Sequence, residues 1–178
     1  MLVRSAASAG LAPAAAASIR AMLDEAFAGD FSDDDWDHAL GGVHYWIEAD
    51  DGAIVCHGSV IERTLVCGDR RYRTGYVEAV ATAPHLHRRG YASEVMRCIG
   101  AQVRQGFEVG ALSTGAPGFY ARLGWELWRG PVMAATETGA IESMPDEEGG
   151  IMILRTAATI DLDLDACIVA DWRTGDVW

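Results

Sequence analysis

The stretch from Gly75 to Ser93, GYVEAVATAPHLHRRGYAS, constrains this chain more than any other. Tyr76 to Thr82 alternate and carry Val and Tyr, as a buried strand does, with one carboxylate, Glu78, set in the middle. Pro84 ends the strand. A short basic turn, His87-Arg88-Arg89-Gly90, then leads into a helical pattern from Tyr91 to Gln105 that puts Val95, Cys98, Ile99 and Val103 on one face. Gly106 stops the helix, and Val109 to Ser113 reads as another short strand. A strand, a helix and a second strand in that order predict a parallel pair with a helical crossover. Ligands favour the crevice at the carboxyl ends of such strands, so the pair is expected to splay where a ligand enters.

Other segments fill in an α+β arrangement. Pro13 to Phe27 reads as a helix, preceded by a short strand or arm, and Asp30 or Ser32 caps a second helix through His38. Val43–Ala49 and Ala53–Val66 form a hairpin around Asp50-Asp51-Gly52, and Tyr72 to Ala83 is the next strand. Pro117 to Leu123 is a short helix, Trp125 to Ala134 a strand, and Met133 to Glu148 a loop. Ile151–Leu154 and a segment near Cys167–Asp171 read as late strands. The prediction is a mixed, mostly antiparallel sheet with a central splayed parallel pair, flanked by about four helices. With no internal repeat or low-complexity linker, residues 1–178 are read as one domain.

Composition narrows the chemistry. Lysine is absent, which excludes a phosphate-loop lysine and a Schiff-base lysine. The net charge of -12 argues against nucleic acid. No apolar run is long enough for a transmembrane helix, so no membrane partner is expected. Cys56, Cys67, Cys98 and Cys167 lack paired spacing and sit in apolar stretches, which suggests free thiols in a reducing cytoplasm. The five histidines show no metal-ligand spacing, and no metal is expected.

Charge is unevenly distributed. Ile61 to Gln105 holds eight Arg against four acids, whereas Asp24–Asp51 has ten acids and no Arg, and Glu137–Trp178 ten acids and two Arg. The centre suits an anionic ligand and the flanking segments a cation, although acids also simply solvate a surface.

The basic turn at a helix start offers backbone N–H groups and the positive end of the helix dipole, which is a site for phosphate or pyrophosphate. A carboxylate on an apolar strand is costly unless it is hydrogen-bonded or functional, so Glu78 is the candidate base. An ion pair with Arg71 or Arg73 is its structural alternative. Tyr120, in GFYARLGW, is a candidate general acid, or else a core tyrosine.

His87-Arg88-Arg89-Gly90-Tyr91-Ala92 resembles the Arg/Gln-x-x-Gly-x-Gly/Ala motif of the GNAT superfamily of N-acetyltransferases, with His in the first position. Within it, the chain resembles the aminoglycoside 2′-N-acetyltransferases. The likeness rests on AFAGDF (26–31), LGGVH (40–44), GYVEAVA (75–81), VGALS (109–113), Tyr120 with LGW (123–125), and DWRTGDVW (171–178). The resemblance implies the GNAT fold and acetyl-CoA held by Val80, Ala81, Thr82, His87, Arg88, Arg89, Gly90, Tyr91, Ala92 and Ser93. It implies Glu78 as base and Tyr120 as acid. Asp30, Asp35, Glu147, Asp176 and Trp178, the last through its terminal carboxylate as well, would receive the ammonium groups of an aminoglycoside, with Ser113, Glu78 and Ala79 orienting the sugar. It further implies a cytoplasmic homodimer and a role in antibiotic resistance. Another cationic amine as substrate, or a binding module without turnover, are the alternatives. Ala79 stands where some members carry Gly.

Overall fold

The structure is a computed structural model and describes residues 2–178. Its elements run β1 (Arg4–Ala7), α1 (Pro13–Ala26), α2 (Asp33–Ala39), β2 (Val43–Glu48), β3 (Ile54–Cys67), β4 (Arg70–Thr82), α3 (Tyr91–Gly106), β5 (Val109–Ser113), α4 (Pro117–Ala121), β6 (Glu126–Leu127), β7 (Val132–Ala135), β8 (Ile141–Ser143), β9 (Ile151–Arg155) and β10 (Ile168–Ala170). They fall into two compact units. One is built from the residues up to Ile61 with Val77–Ala101, the other from Glu62–Tyr76 with Gln102–Trp178.

In the first unit β1 pairs antiparallel with β2, and β2 with β3, through Val43↔Val60, His44↔Ser59 and Trp46↔His57. The turn between β2 and β3 uses Gly52 at φ +85° and the Asp51 carboxylate accepting from Ala53 N–H at 3.0 Å. Ile19, Met22 and Leu23 of α1 are buried with Phe31, Trp46, Ile54 and Ala83 in one apolar cluster. Helix α3 lies close to the strands because Gly58 has no side chain. A Cβ there would stand 3.0 Å from Ile99 Cδ1 and 3.2 Å from Val95 Cγ1.

In the second unit the strand order is β6-β9-β5-β4-β3-β10-β7-β8. Thr74–Tyr76 of β4 run parallel to Val109–Ala111 of β5, which is the parallel pair expected from the crossover. A second parallel pair, β10 with β7, was not anticipated. The four-residue run Ile151–Leu154 of β9 is wholly buried, being paired on one side with β5 and on the other with β6.

The sequence expectations need three corrections. Trp125–Ala134 is two strands, because Gly130 passes so close to the Ala166 carbonyl that a Cβ there would stand 1.9 Å from it. Residues 133–148 are not a bare loop but hold the β7–β8 hairpin, closed by Thr136 N–H to Ala140 O at 2.8 Å. Cys167 is exposed rather than lodged in an apolar setting. Of the two caps expected for α2, the structure uses Ser32, in a reciprocal box with Asp35.

Candidate active site

Glu78 and the segment Ala79–Thr82 are half-buried at the end of β4, in the first unit. Ala79 has φ +52°, a left-handed conformation in mid-strand that an Ala adopts only when its surroundings impose it. Two side chains from β3 reach the carbonyls there. His57 Nδ1 donates to Ala79 O at 2.9 Å, and Ser59 Oγ to Glu78 O at 3.4 Å. A positive φ of this kind is one that glycine adopts without strain.

The basic turn follows. Arg88 is left-handed at φ +64° and Gly90 at φ +85°, so two reversals expose backbone just before α3 begins at Tyr91. His87, Arg88, Arg89 and Gly90 are exposed, while Tyr91, Ala92 and Ser93 are half-buried in the first helical turn. His87 does not reach outward. Its Nε2 lies 2.9 Å from the Thr82 carbonyl and ties the turn back to the end of β4. The turn, the helix start and the absence of any nearby bulky side chain on Gly90 fit a pyrophosphate and its pantetheine arm.

Asp30 is exposed on the α1–α2 connection. Arg20 braces that connection, donating to Asp24 (2.8 Å), Asp33 (3.0 Å) and the Phe31 carbonyl (3.1 Å). Phe27 and Phe31 stack across it at 5.4 Å. Asp35 has a structural duty as well, because Oδ2 accepts from Ser32 N–H and Ser32 Oγ, both at 2.8 Å.

The remaining expected residues belong to the second unit. Tyr120 on α4 is 8% exposed, its ring edge-on to Phe119 at 4.8 Å and to Trp125 at 6.4 Å. Ser113 Oγ donates to Glu147 at 2.9 Å, so these two are brought together. Asp176 is exposed; its carbonyl accepts from Arg173 Nε at 2.6 Å. Trp178 is buried, with Nε1 donating to Met133 O at 3.0 Å.

Two groups escaped the reading of the sequence. Arg63, 6% exposed on β3, donates to Asp171 Oδ1 (2.9 Å), Asp171 O (2.7 Å) and Val177 O (2.6 Å), and so fixes the segment that bears Asp176 and Trp178. His44 and His57, both fully buried, meet at 3.0 Å. The hairpin register carried a signal for the second pair, since His44 opposite Ser59 puts His57 two residues away on the same face. Arg73, an alternative partner for Glu78, is engaged with Glu62 at 3.2 Å. Cys56 is a poor nucleophile, since burial pushes its thiol up to about 11.

Residues 10–128 match the model of the acetyltransferase (GNAT) domain. The chain belongs to the GNAT acetyltransferase family. It is 41% identical over 162 residues to the aminoglycoside 2′-N-acetyltransferase of Mycolicibacterium fortuitum, an alignment covering 89% of this chain and 83% of that protein. Among solved structures, the GNAT family N-acetyltransferase YhbS of Escherichia coli, in complex with CoA, matches with a TM-score of 0.68 at 16% identity, over 95% of this chain and 88% of its own. A GNAT family acetyltransferase of Brucella melitensis, in complex with acetyl-CoA, matches at 0.54 and 18% identity, over 88% and 97%. Other neighbours are larger, and this GNAT chain spans about a third of their length. These likenesses establish the GNAT fold, an α+β mixed sheet with four helices, and acetyl transfer as the reaction class.

Proposed function

We propose that the chain transfers the acetyl group of acetyl-CoA to the 2′-amino group of aminoglycosides, by direct attack within a ternary complex. The observation that carries the substrate is the 41% identity to the Mycolicibacterium fortuitum enzyme over 89% of the chain. Exposed Asp30 and Asp176 are suited to a polycation, and the Arg88–Gly90 turn to an anionic donor.

Glu78 takes a proton from the ammonium group, directly or through water, leaving the amine free to attack the thioester carbon. The Val80 N–H donates to the thioester carbonyl oxygen as negative charge develops there. The C–N bond forms, the C–S bond breaks as Tyr120 gives its hydroxyl proton to the departing sulfur, and the nitrogen sheds its second proton to solvent, from which the Tyr120 phenolate is reprotonated. Asp30, Asp35, Ser113, Glu147, Asp176 and Trp178 bind the aminoglycoside. His87 shapes the donor turn through Thr82, and the backbone of Arg88–Ser93 holds the phosphates. Such a reaction in the cytoplasm would confer aminoglycoside resistance.

Incubation with acetyl-CoA and gentamicin, tobramycin or kanamycin B is expected to release free thiol and yield a 2′-N-acetyl product by NMR. Thiol release with a polyamine but with none of these three would instead identify a different cationic amine as substrate. That second reading draws on Asp35 and Glu147, whose carboxylates already accept hydrogen bonds from Ser32 and Ser113.

A further inference from the structure

A chain of four groups crosses the first unit and ends on the strained residue beside Glu78. Ser8 Oγ lies 2.8 Å from His44 Nε2, His44 Nδ1 lies 3.0 Å from His57 Nε2, and His57 Nδ1 lies 2.9 Å from Ala79 O. A carbonyl oxygen only accepts, so His57 carries its proton on Nδ1. Its Nε2 must then accept from His44 Nδ1–H, which leaves His44 Nε2 to accept the Ser8 hydroxyl proton. Ser8 Oγ is set in turn by Gly41 N–H at 3.0 Å, and the Gly42 carbonyl, at 3.2 Å, is the more distant of the two acceptors that its hydroxyl proton faces. Burial keeps both rings neutral, lowering His44 and taking His57 down to about 3, so every tautomer along the chain is fixed.

The far end of this chain is a carbonyl, which cannot pass a proton onward, so the arrangement holds geometry rather than shuttling protons. What it holds is one peptide plane. In a trans peptide the C=O and the following N–H point in opposite directions. Clamping Ala79 O on His57 therefore turns the N–H of Val80 to the side away from His57. Ala79 at φ +52° would relax toward ordinary strand geometry without that clamp, and the Val80 N–H would turn with it.

We infer that His57, supported by His44 and Ser8, is a positioning residue for acyl transfer: it fixes the reversed Ala79–Val80 peptide so that the Val80 N–H meets the thioester carbonyl oxygen. The inference rests on the donor half of the reading above, in which Val80 faces the acyl group, and not on the identity of the amine.

The test uses the full chain, acetyl-CoA labelled with ¹³C at the acetyl carbonyl, and two substitutions. In His57→Leu the donor to Ala79 O is gone. In His57→Asn the side-chain amide nitrogen stands where Nδ1 stood and restores it. Isotope-edited infrared spectra of the binary complex, with no amine present, are expected to show a lowered carbonyl stretch in the unchanged protein and in His57→Asn, and a frequency near the free value in His57→Leu. Turnover of the amine the enzyme accepts should fall about 100-fold in kcat for His57→Leu, and within about fivefold for His57→Asn. KM for the amine and the dissociation constant of acetyl-CoA should change little. His44→Leu and Ser8→Ala should follow in descending order.

Equal carbonyl frequencies in the unchanged protein and His57→Leu would overturn the inference. So would an Asn variant no better than Leu, or a loss carried by KM. Failure of the protein to bind acetyl-CoA at all would overturn it together with the donor reading. A normal infrared result with no aminoglycoside turnover would remove the proposed substrate and leave the inference standing.

Discussion

The Arg63 guanidinium reaches Val177 through a 2.6 Å hydrogen bond to its carbonyl, across 114 positions of sequence. The same side chain holds both the carboxylate and the carbonyl of Asp171, and its Cζ stands 4.7 Å from the centre of the Tyr76 ring. Arg173 approaches that ring as well, at 5.4 Å, while its Nε holds the Asp176 carbonyl. Two arginines thus gather the backbone carbonyls of 171, 176 and 177. The segment follows β10 with no helix or strand of its own, and beyond the Asp171 N–H bond to Thr64 O at 3.3 Å these cations help to set its course.

A lysine at position 63 would keep the charge but not the planar fork, so it cannot serve Asp171 and Val177 together. Arg63→Lys is therefore expected to raise KM for the aminoglycoside about tenfold, equivalent to about 1.4 kcal/mol, with KM for acetyl-CoA within about twofold. Steady-state kinetics with each substrate varied in turn checks this. Equal increases in both KM values would show that Arg63 supports the fold at large and not the acceptor side.

The buried histidine pair also makes stability depend on pH. His57 is pushed down to about 3 by burial, against 6.5 for an exposed ring, and His44 is lowered for the same reason. Below about pH 6.5 the unfolded chain therefore binds protons that the folded chain refuses. Stability is fully present above that pH and is lost as pH falls from there toward 3. Each refused proton contributes a slope of up to about 1.4 kcal/mol per pH unit. Glu108, held low by the Arg73 N–H and by Arg70, and Asp165, held low by Arg129, stay ionised between pH 7 and 5 and add little to that decline. Urea unfolding at pH 7, 6 and 5 should show declining stability, and His57→Asn should flatten the decline. A variant with the same slope as the unchanged protein would show that His57 titrates normally in the fold.

Much of the strand–helix–strand order around α3 was legible because local signals agree there. Pro84 and Gly106 punctuate the chain, the apolar face of α3 repeats with helical period, and the Val/Tyr alternation of β4 marks a strand. The β7–β8 hairpin was missed because its turn is Glu137-Thr138-Gly139 between segments without alternation. Arg63 was missed because its partners lie more than 100 residues away, and nothing local distinguishes it from other arginines on strands. Ala79 conceals its backbone state, since only a glycine or asparagine at that position would have advertised a positive φ. The acids at 30, 35, 147 and 176 were visible as charge, but the structural duties of Asp35 and Glu147 depend on Ser32 and Ser113 being placed against them.

Electrostatic attraction gives the acceptor reading a test that leaves the protein unaltered. The segments bearing Asp30, Asp35, Glu147 and Asp176 are rich in acids, and a polycation feels their summed field over a distance that salt shortens to about 10 Å at 0.1 M. Raising ionic strength from about 0.05 to 0.5 M should lower kcat/KM for kanamycin B roughly tenfold or more, and for singly charged glucosamine by less than about twofold. Parallel slopes for the two amines would mean that salt acts on the anionic donor, and the acidic segments would lose their assigned part in substrate capture.

Glu78 supplies the sharpest test of mechanism. Glutamine keeps the size and a hydrogen-bonding oxygen but cannot accept a proton from an ammonium group. Glu78→Gln should therefore leave acetyl-CoA binding intact and lower kcat by about 10²- to 10⁴-fold, the usual worth of a general base. The deficit should shrink as pH rises and the amine loses its proton to solvent unaided. Single-turnover measurements with acetyl-CoA bound beforehand separate this from slow product release. A deficit of the same size at every pH would mean that Glu78 binds the ammonium group without deprotonating it, and the base would have to be sought elsewhere in the site.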